Sequence, residues 1–286
     1  MKKLHSLIIC LFVLASAEAQ QLHIGVFGGL AAYNGDLTEN IFPKKVTNGA
    51  IGVTANYEFT EQIFFRVGYT YAIVGGADRF SDKPELVARN LAFETQVHEL
   101  SLVGEYYLFN LYERKLSPYG FLGLALTKYN PYAYDAAKNK VFLQPLSTEG
   151  QGIAGYPTKP YKLTQVAIPF GGGMKYAIND NLRVGLELGM RKLFTDHFDD
   201  VSGFYADPND LLAAKGQLSV DMSYRGDEVV SGSPSYPTKG FERGSPDNKD
   251  WYYFTGIHFT FRINGNGGGG GGGRGKSKMG CPTNVF

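Results

Sequence analysis

Residues 51–59 read Ile-Gly-Val-Thr-Ala-Asn-Tyr-Glu-Phe, with apolar side chains at the odd positions and small or polar ones at the even positions. Residues 63–73 repeat the pattern, setting Ile63, Phe65, Val67, Tyr69, Tyr71 and Ile73 against Arg66, Gly68 and Thr70. Residues 182–191 do so again, with Leu182, Val184, Leu186, Leu188 and Met190 opposed to Arg183, Gly185, Glu187, Gly189 and Arg191. A period of two sustained over ~10 residues is a strand with two unlike faces. Here the charged face is narrow and Gly-rich, and the apolar face carries aromatics at its ends. That combination predicts strands with lipid on one side and a crowded lumen on the other.

The same pattern predicts strands near 22–33, 49–59, 63–74, 96–109, 118–129, 164–178, 182–193 and 251–263. The strand at 118–129 is the least regular, because Leu122, Leu124 and Leu126 blur its polar face. Connections alternate in length. Residues 60–62, 110–117 and 179–181 are short and turn-like, whereas 34–48, 75–95, 130–163 and 194–250 are long. Eight antiparallel strands place the short turns and both ends of the domain on one side and the long loops on the other. That is the asymmetry of an outer-membrane barrel. About 10 residues at ~3.3 Å, tilted by ~40–45°, rise ~24 Å, close to the ~25 Å apolar band of such barrels. The expected fold is therefore all-β, an eight-stranded antiparallel transmembrane up-and-down β-barrel.

A soluble barrel that turns its apolar face inward around a ligand has the same period. Three features favour the membrane: Tyr and Phe near strand ends, a second face mixing Gly with both signs of charge, and the alternating loops. Composition agrees, with 37 Gly among 286 residues and 14% aromatics but one Trp, against a norm of about 7% Gly. The net charge of +1 gives no reason to expect nucleic acid as a partner.

The N-terminus reads as a processing signal over residues 1–19. Lys2 and Lys3 precede the apolar run Leu7–Leu14, and Ala17-Glu18-Ala19 forms a small-x-small cleavage site before Gln20. Ile9 is too large for a lipidation box at Cys10. Cleavage leaves Cys281 as the single thiol, so no intramolecular disulfide is expected. No later stretch holds ~18 apolar residues, so an exported chain of this kind is either soluble or a barrel. The expected divisions are signal peptide 1–19, barrel 20–263, and a Gly-rich linker with a basic periplasmic tail over 264–286.

Inside an eight-stranded barrel there is room for side chains and little else. Arg66, Arg183, Glu187 and Arg191 are expected to form a lumen network with Glu58, Glu99, Glu105, Lys175, His258 and Arg262. Opposite charges in similar numbers favour a polar plug over an ion path, provided hydrogen bonding is nearly complete.

Several segments together resemble a known family: Gly28–Leu37, Leu143–Gly152 with its Thr-Glu-Gly-Gln-Gly, Ile168–Tyr176, Met190–Ser202 with its Arg-Lys-Leu-Phe-Thr-Asp-His-Phe-Asp-Asp, and Cys281-Pro282. They are similar to the PorG-like outer-membrane barrels of Bacteroidota, which include a component of the type IX secretion and gliding machinery. The resemblance covers roughly residues 22–263. It implies a place in the cell outer membrane, in contact with lipid, and work with periplasmic ring proteins. The Gly267–Gly273 run departs from the compact ending such a barrel would have.

Other constellations are weaker. Asp196, Asp199, Asp200, Asp207 and Asp210 open the longest loop, with Asp36 a candidate neighbour. Oxygen-rich clusters can hold Ca²⁺, but the spacing is not that of an EF-hand, and a solvated or Arg-paired loop is expected with no metal. His197 lies near Ser202, Asp196 and Asp199, yet no nucleophile motif accompanies it, so no enzyme activity and no cofactor are expected. Gly171-Gly172-Gly173 lacks the Lys-Ser/Thr of a phosphate loop and reads as a place where strands pack closely or bend. Ser231–Pro246 reads as an exposed loop, partly mobile. Arg274, Lys276, Lys278 and Cys281 follow a flexible linker and are either a plain tail or a docking peptide. The leading expectation is a structural or assembly component of a type IX secretion machine. The alternative is an OmpA- or OmpX-like structural or adhesive barrel.

Overall fold

A computed structural model describes residues 22–38, 46–245 and 249–263. The signal segment 1–19 and the tail with Arg274, Lys276, Lys278 and Cys281 lie outside the described residues. Ten strands are present among them: β1 (Leu22–Asn34), β2 (Asn48–Glu58), β3 (Ile63–Ala77), β4 (Ala92–Tyr107), β5 (Leu116–Lys128), β6 (Pro131–Tyr134), β7 (Lys140–Phe142), β8 (Thr164–Ala177), β9 (Leu182–Leu193) and β10 (Trp251–Ile263). Eight of them close into a ring of antiparallel neighbours, β1 to β5 and β8 to β10, with β10 returning to β1 from Leu22↔Ile263 to Asn34↔Trp251. The hairpin β6–β7 hangs from an extension of β4 beyond the ring.

The expected strands are all there, with two differences at the loop end. β3 and β4 continue to Ala77 and from Ala92, pairing over Gly75↔Glu94 to Ala77↔Ala92. The second long loop also folds into a helix, Pro84–Arg89. Its proline sits in the first turn, where a missing N–H costs nothing, and Asn90 ends it in the left-handed region at φ 58°.

The two faces are sorted as a membrane wall. Ile51, Leu122 and Leu186 are more than 60% exposed, while Glu99, Glu105 and Glu187 on the opposite faces are under 5% exposed. Tyr57, Phe59, Phe65, Tyr106 and Tyr176 line the outer surface near the turn end and are exposed, where an aromatic girdle belongs. The irregular strand is explained by β5. Leu122, Leu124 and Leu126 are its lipid face, and its inward face is Tyr119, Phe121, Gly123 and Ala125. Both faces are apolar there, so alternation could not distinguish them.

The glycine run in β8 sets strand spacing. A Cβ on Gly171 or Gly173 would sit 2.2 Å from the carbonyl oxygen of Leu188 or Leu186 on β9, far inside van der Waals contact.

Candidate functional site

The lumen is filled in three layers. Toward the turns, Phe64, Val103, Tyr107, Tyr119 and Phe121 pack with Leu111, which enters from the 108–115 turn. The middle layer is ionic. Arg66 lies 3.0 Å from Glu105 and 2.7 Å from Glu187. Lys175 approaches Glu105 at 3.6 Å, and His258 lies 3.4 Å from Glu187. Arg191 donates to Glu99 at 3.1 Å, and Arg183 faces Glu58 at 3.6 Å. Tyrosine hydroxyls add hydrogen bonds to the carboxylates: Tyr119 to Glu187, Tyr107 to Glu105 and Tyr252 to Glu99, at 2.6, 2.6 and 2.7 Å. Removing any one charge would strand its partner in a low-dielectric interior. Arg66 and Glu187 thus share one cluster with Glu105, Lys175 and His258, whereas Arg191 pairs separately with Glu99 and Arg183 with Glu58. The void left beside Arg66, Glu187 and His258 is about 20 Å³, which admits no hydrated ion.

Toward the loops the lumen is closed by Phe198, carried in by the fourth long connection. Its ring stacks on Tyr252 at 5.4 Å and 12° and meets Tyr33, Tyr129 and Phe93. Above it, the described parts of the four long connections fold into a cap held by polar side chains that composition alone reads as solvated.

Asp196, Asp199 and Asp200 are buried and not solvated; of the two expected arrangements the Arg-paired one holds for Asp200, whose carboxylate lies 3.9 Å from Arg243. Asp200 accepts hydrogen bonds from Thr148 and Tyr161, both at 2.6 Å. Asp199 accepts from Tyr33 through one oxygen and from the backbone N–H of Val201 at 2.9 Å through the other. Asp196 accepts from Ser202 at 2.9 Å. Burial pushes Asp200 up to about 6 and Asp196 up to about 7. Burial, and then the nearby Asp250, raise Asp199 well above the carboxylate range. Asp207 and Asp210 separate from this group. Asp207 caps the helix Pro208–Lys215 through the N–H of Asn209, and Asp210 accepts from Tyr156 and Lys239.

Arg243 carries no signal in the sequence, and the structure makes it the hub of the cap. It is 2% exposed and Gly244 beside it is buried, although most of residues 231–242 are exposed, as expected for that loop. Its guanidinium donates to Glu149 at 2.9 Å, to the carbonyl of Asp200 at 2.6 Å and to the carbonyl of Ser223 at 3.1 Å. Arg89 acts as a second clamp. It donates twice to Asp78 at 2.7 Å, to the carbonyl of Asp36 at 3.0 Å, and to the carbonyl of Arg243. Asp36 accepts from the N–H of Ser245 at 3.0 Å. Glu149 also accepts from the N–H groups of Ser202 and Gly203 at 2.9 and 3.2 Å. The loop segments 143–152 and 190–202 therefore meet as two halves of one joint.

His197 and Ser202 are not paired with each other. The Ser202 hydroxyl is used by Asp196, and the His197 ring stacks on Tyr161 at 4.9 Å. Among the described residues no group of three or more His, Cys, Asp or Glu side chains is arranged to hold a metal ion.

A profile of the family described as Domain of unknown function (DUF6089) matches residues 2–211. The chain belongs to this family. No curated protein matches the sequence. Among solved structures, the chain is similar to Neisserial surface protein A, with TM-score 0.44 and 8% identity over 85% of this chain and 97% of that one. It is also similar to a major outer membrane protein from Thermus thermophilus, with TM-score 0.40 and 13% identity over 85% and 99%. OprG from Pseudomonas aeruginosa gives 0.38 and 12% over 86% and 98%.

For this DUF6089 chain the membrane assignment rests on its own wall. An apolar exterior closed around a paired-charge interior is a transmembrane barrel, and barrels of this build belong to the bacterial outer membrane. The protein is an outer-membrane β-barrel in contact with lipid, with short turns on one side and the joined loops on the other.

Proposed function

We propose that this barrel is a structural and assembly component of a type IX protein secretion machine, contacting periplasmic ring proteins. The observation that carries a structural role is the sealed lumen: aromatic layers close both ends of a paired charge layer. A barrel so filled offers its surfaces to partners and not a path through its centre, and the reading contains no catalytic step. The link to secretion rests on the segments that resemble PorG-like barrels. Two of them, 143–152 and 190–202, lock together through Thr148–Asp200 and Glu149–Ser202, so the resemblance falls on residues that build the cap. The turn side and the basic tail, with Arg274, Lys276, Lys278 and Cys281, are the parts proposed to meet the ring.

The test is affinity capture of the tagged protein from outer membranes in gentle detergent, with and without residues 264–286. Recovery of periplasmic ring proteins by the full chain, lost with the tail, is expected. Capture of no periplasmic partner by the full chain contradicts the proposal and leaves the OmpA- or OmpX-like structural or adhesive reading, which the ordered loop cap favours.

A further inference from the structure

A cleft of about 1350 Å³ opens between the cap and the outer edge of the wall, bounded by the end of β1, the helix Pro84–Arg89 and residues 233–245 and 249–251. Its floor is set by register. Asn34 pairs with Trp251, and Trp251 with Lys192, so these three form one row across β1, β10 and β9 on the outward face. The next row on that face is Ala32, Tyr253 and Met190, of which Ala32 and Tyr253 are covered, and the one beyond it holds Leu30 and Leu188, which are exposed to lipid. The cleft thus begins two outward rows above the apolar band, at the depth of lipid headgroups. Trp251 and Lys192 lie as a cation–π pair at 5.5 Å, with the amphipathic character expected of residues at that boundary.

The chemistry of the lining narrows the ligand. Arg89 and Arg243 face the cleft but are committed to Asp78 and Glu149. Of the remaining charges, Lys83, Lys192 and Lys249 are balanced by Asp36, Glu85 and Glu242. A balanced set does not concentrate a polyanion. Aromatic and pyrrolidine surfaces are interleaved with it: Tyr236, Pro237 and Phe241, the last 61% exposed. Flat apolar faces between paired donors and acceptors suit a molecule with apolar C–H faces and a rim of hydroxyls. We propose that the cleft binds a saccharide, in the form of the sugar headgroup of an outer-leaflet glycolipid. Rings of Phe241 and Tyr236 cover the sugar faces, while Glu85, Glu242 and Lys192 bond its hydroxyls.

Trp251 is the only tryptophan in the chain and stands at the floor of the cleft, so its emission reports occupancy. The refolded full-length barrel in detergent is titrated with three probes: purified lipopolysaccharide, the water-soluble oligosaccharide released from it by deacylation and dephosphorylation, and inorganic phosphate. A saturable change with the first two, and none with phosphate, is expected. Tighter binding of the acylated form identifies the lipid as the source, and equal binding identifies free saccharide. Phe241→Ala and Glu85→Gln, both at exposed positions that leave the cap bonds intact, should each weaken the oligosaccharide by about tenfold. Retention of heat-modifiable migration by each variant confirms that the barrel is folded. No saturable response to the oligosaccharide, full competition by phosphate, or unchanged affinity in both variants would overturn the proposal. Ring-protein capture is independent of this cleft, and the two variants should leave it unaltered.

Discussion

Tyr33, the last inward side chain of β1 with a ring, donates its hydroxyl hydrogen to Asp199 of the fourth loop. The same oxygen lies 3.1 Å from Asp250, the residue that precedes β10. One phenol carries one hydrogen, and the remaining oxygen of each carboxyl accepts a backbone N–H, from Val201 and from Phe198. Two ionised carboxylates cannot both be satisfied by this phenol, and burial raises both Asp199 and Asp250 above the ordinary carboxylate value, so the geometry favours a shared proton in the trio. This hydrogen-bonded unit ties the barrel mouth to the loop that brings Phe198 into it.

Tyr33→Phe keeps the ring and removes the bond that anchors the loop. The cost of leaving buried carboxyl groups unsatisfied is ~1–3 kcal/mol. Urea unfolding in detergent should show a loss of that size, and proteolysis within 196–203 should accelerate while the strands stay protected. Equal sensitivity of Tyr33→Phe and the native chain would show that the contact contributes nothing.

The cap should loosen as pH rises. Burial lifts Asp36 and Asp200 to about 6 and Asp196 to about 7, from 3.8. Asp199 and Asp250 are raised well above the ordinary carboxylate value too, burial being the largest cause for both. A raised folded-state value means stability complete below the unfolded pKa and lost as pH climbs through the folded one. Hydrogen exchange of residues 196–203, corrected for its intrinsic pH dependence, should therefore be slowest near pH 4 and rise through pH 6–7. Asp199→Asn should flatten that rise. A cap that tightens with pH would contradict this assignment of the protons.

Much of the barrel was legible in the sequence because a strand with lipid on one side and charge on the other has no other way to alternate. Arg66, Arg183, Glu187 and Arg191 could be placed inward from that alternation alone. β5 was harder, since Tyr119 and Phe121 make its inner face as apolar as Leu122 and Leu124 make its outer one. The cap was not legible. Arg243 sits in a Gly-, Ser- and Pro-rich stretch without period, and its partner Glu149 is 94 residues away. Asp199 resembles a solvated acid until Tyr33, 166 residues earlier, is brought against it. Only clusters of buried pairs joining distant loops distinguish such residues, and local pattern carries no trace of them.

Arg66→Ala should be the most damaging of the lumen changes. It leaves Glu105 and Glu187 short of the cation 3.0 and 2.7 Å away, at a cost of ~3–5 kcal/mol. The expected readout is a lower urea midpoint, with planar-bilayer conductance still closed because Phe198 and Leu111 block the ends. Steady ion conductance in the native protein would contradict the sealed lumen.

Close strand approach can be tested at two glycines. A Cβ on Gly123 would lie 2.1 Å from the carbonyl oxygen of Leu102, whereas one on Gly28 meets nothing within 4 Å. Gly123→Ala should lower stability and folding yield, by ~1–3 kcal/mol as for overpacked cores, and Gly28→Ala should not. Similar yields for the two would show that the wall relaxes more than these distances allow.

The measurement that bears most directly on the account is the accessibility of single labels walked along β9. With Cys281→Ser in the mature chain, cysteines at 184, 186 and 188 and at 185, 187 and 189 each receive a nitroxide in lipid bilayers. The account predicts strict alternation, with labels at 184, 186 and 188 relaxed by oxygen dissolved in lipid and those at 185, 187 and 189 shielded. Labels at 184, 186 and 188 that are instead reached by a water-soluble relaxant, or that show no alternation, would contradict a membrane barrel with its charges inside.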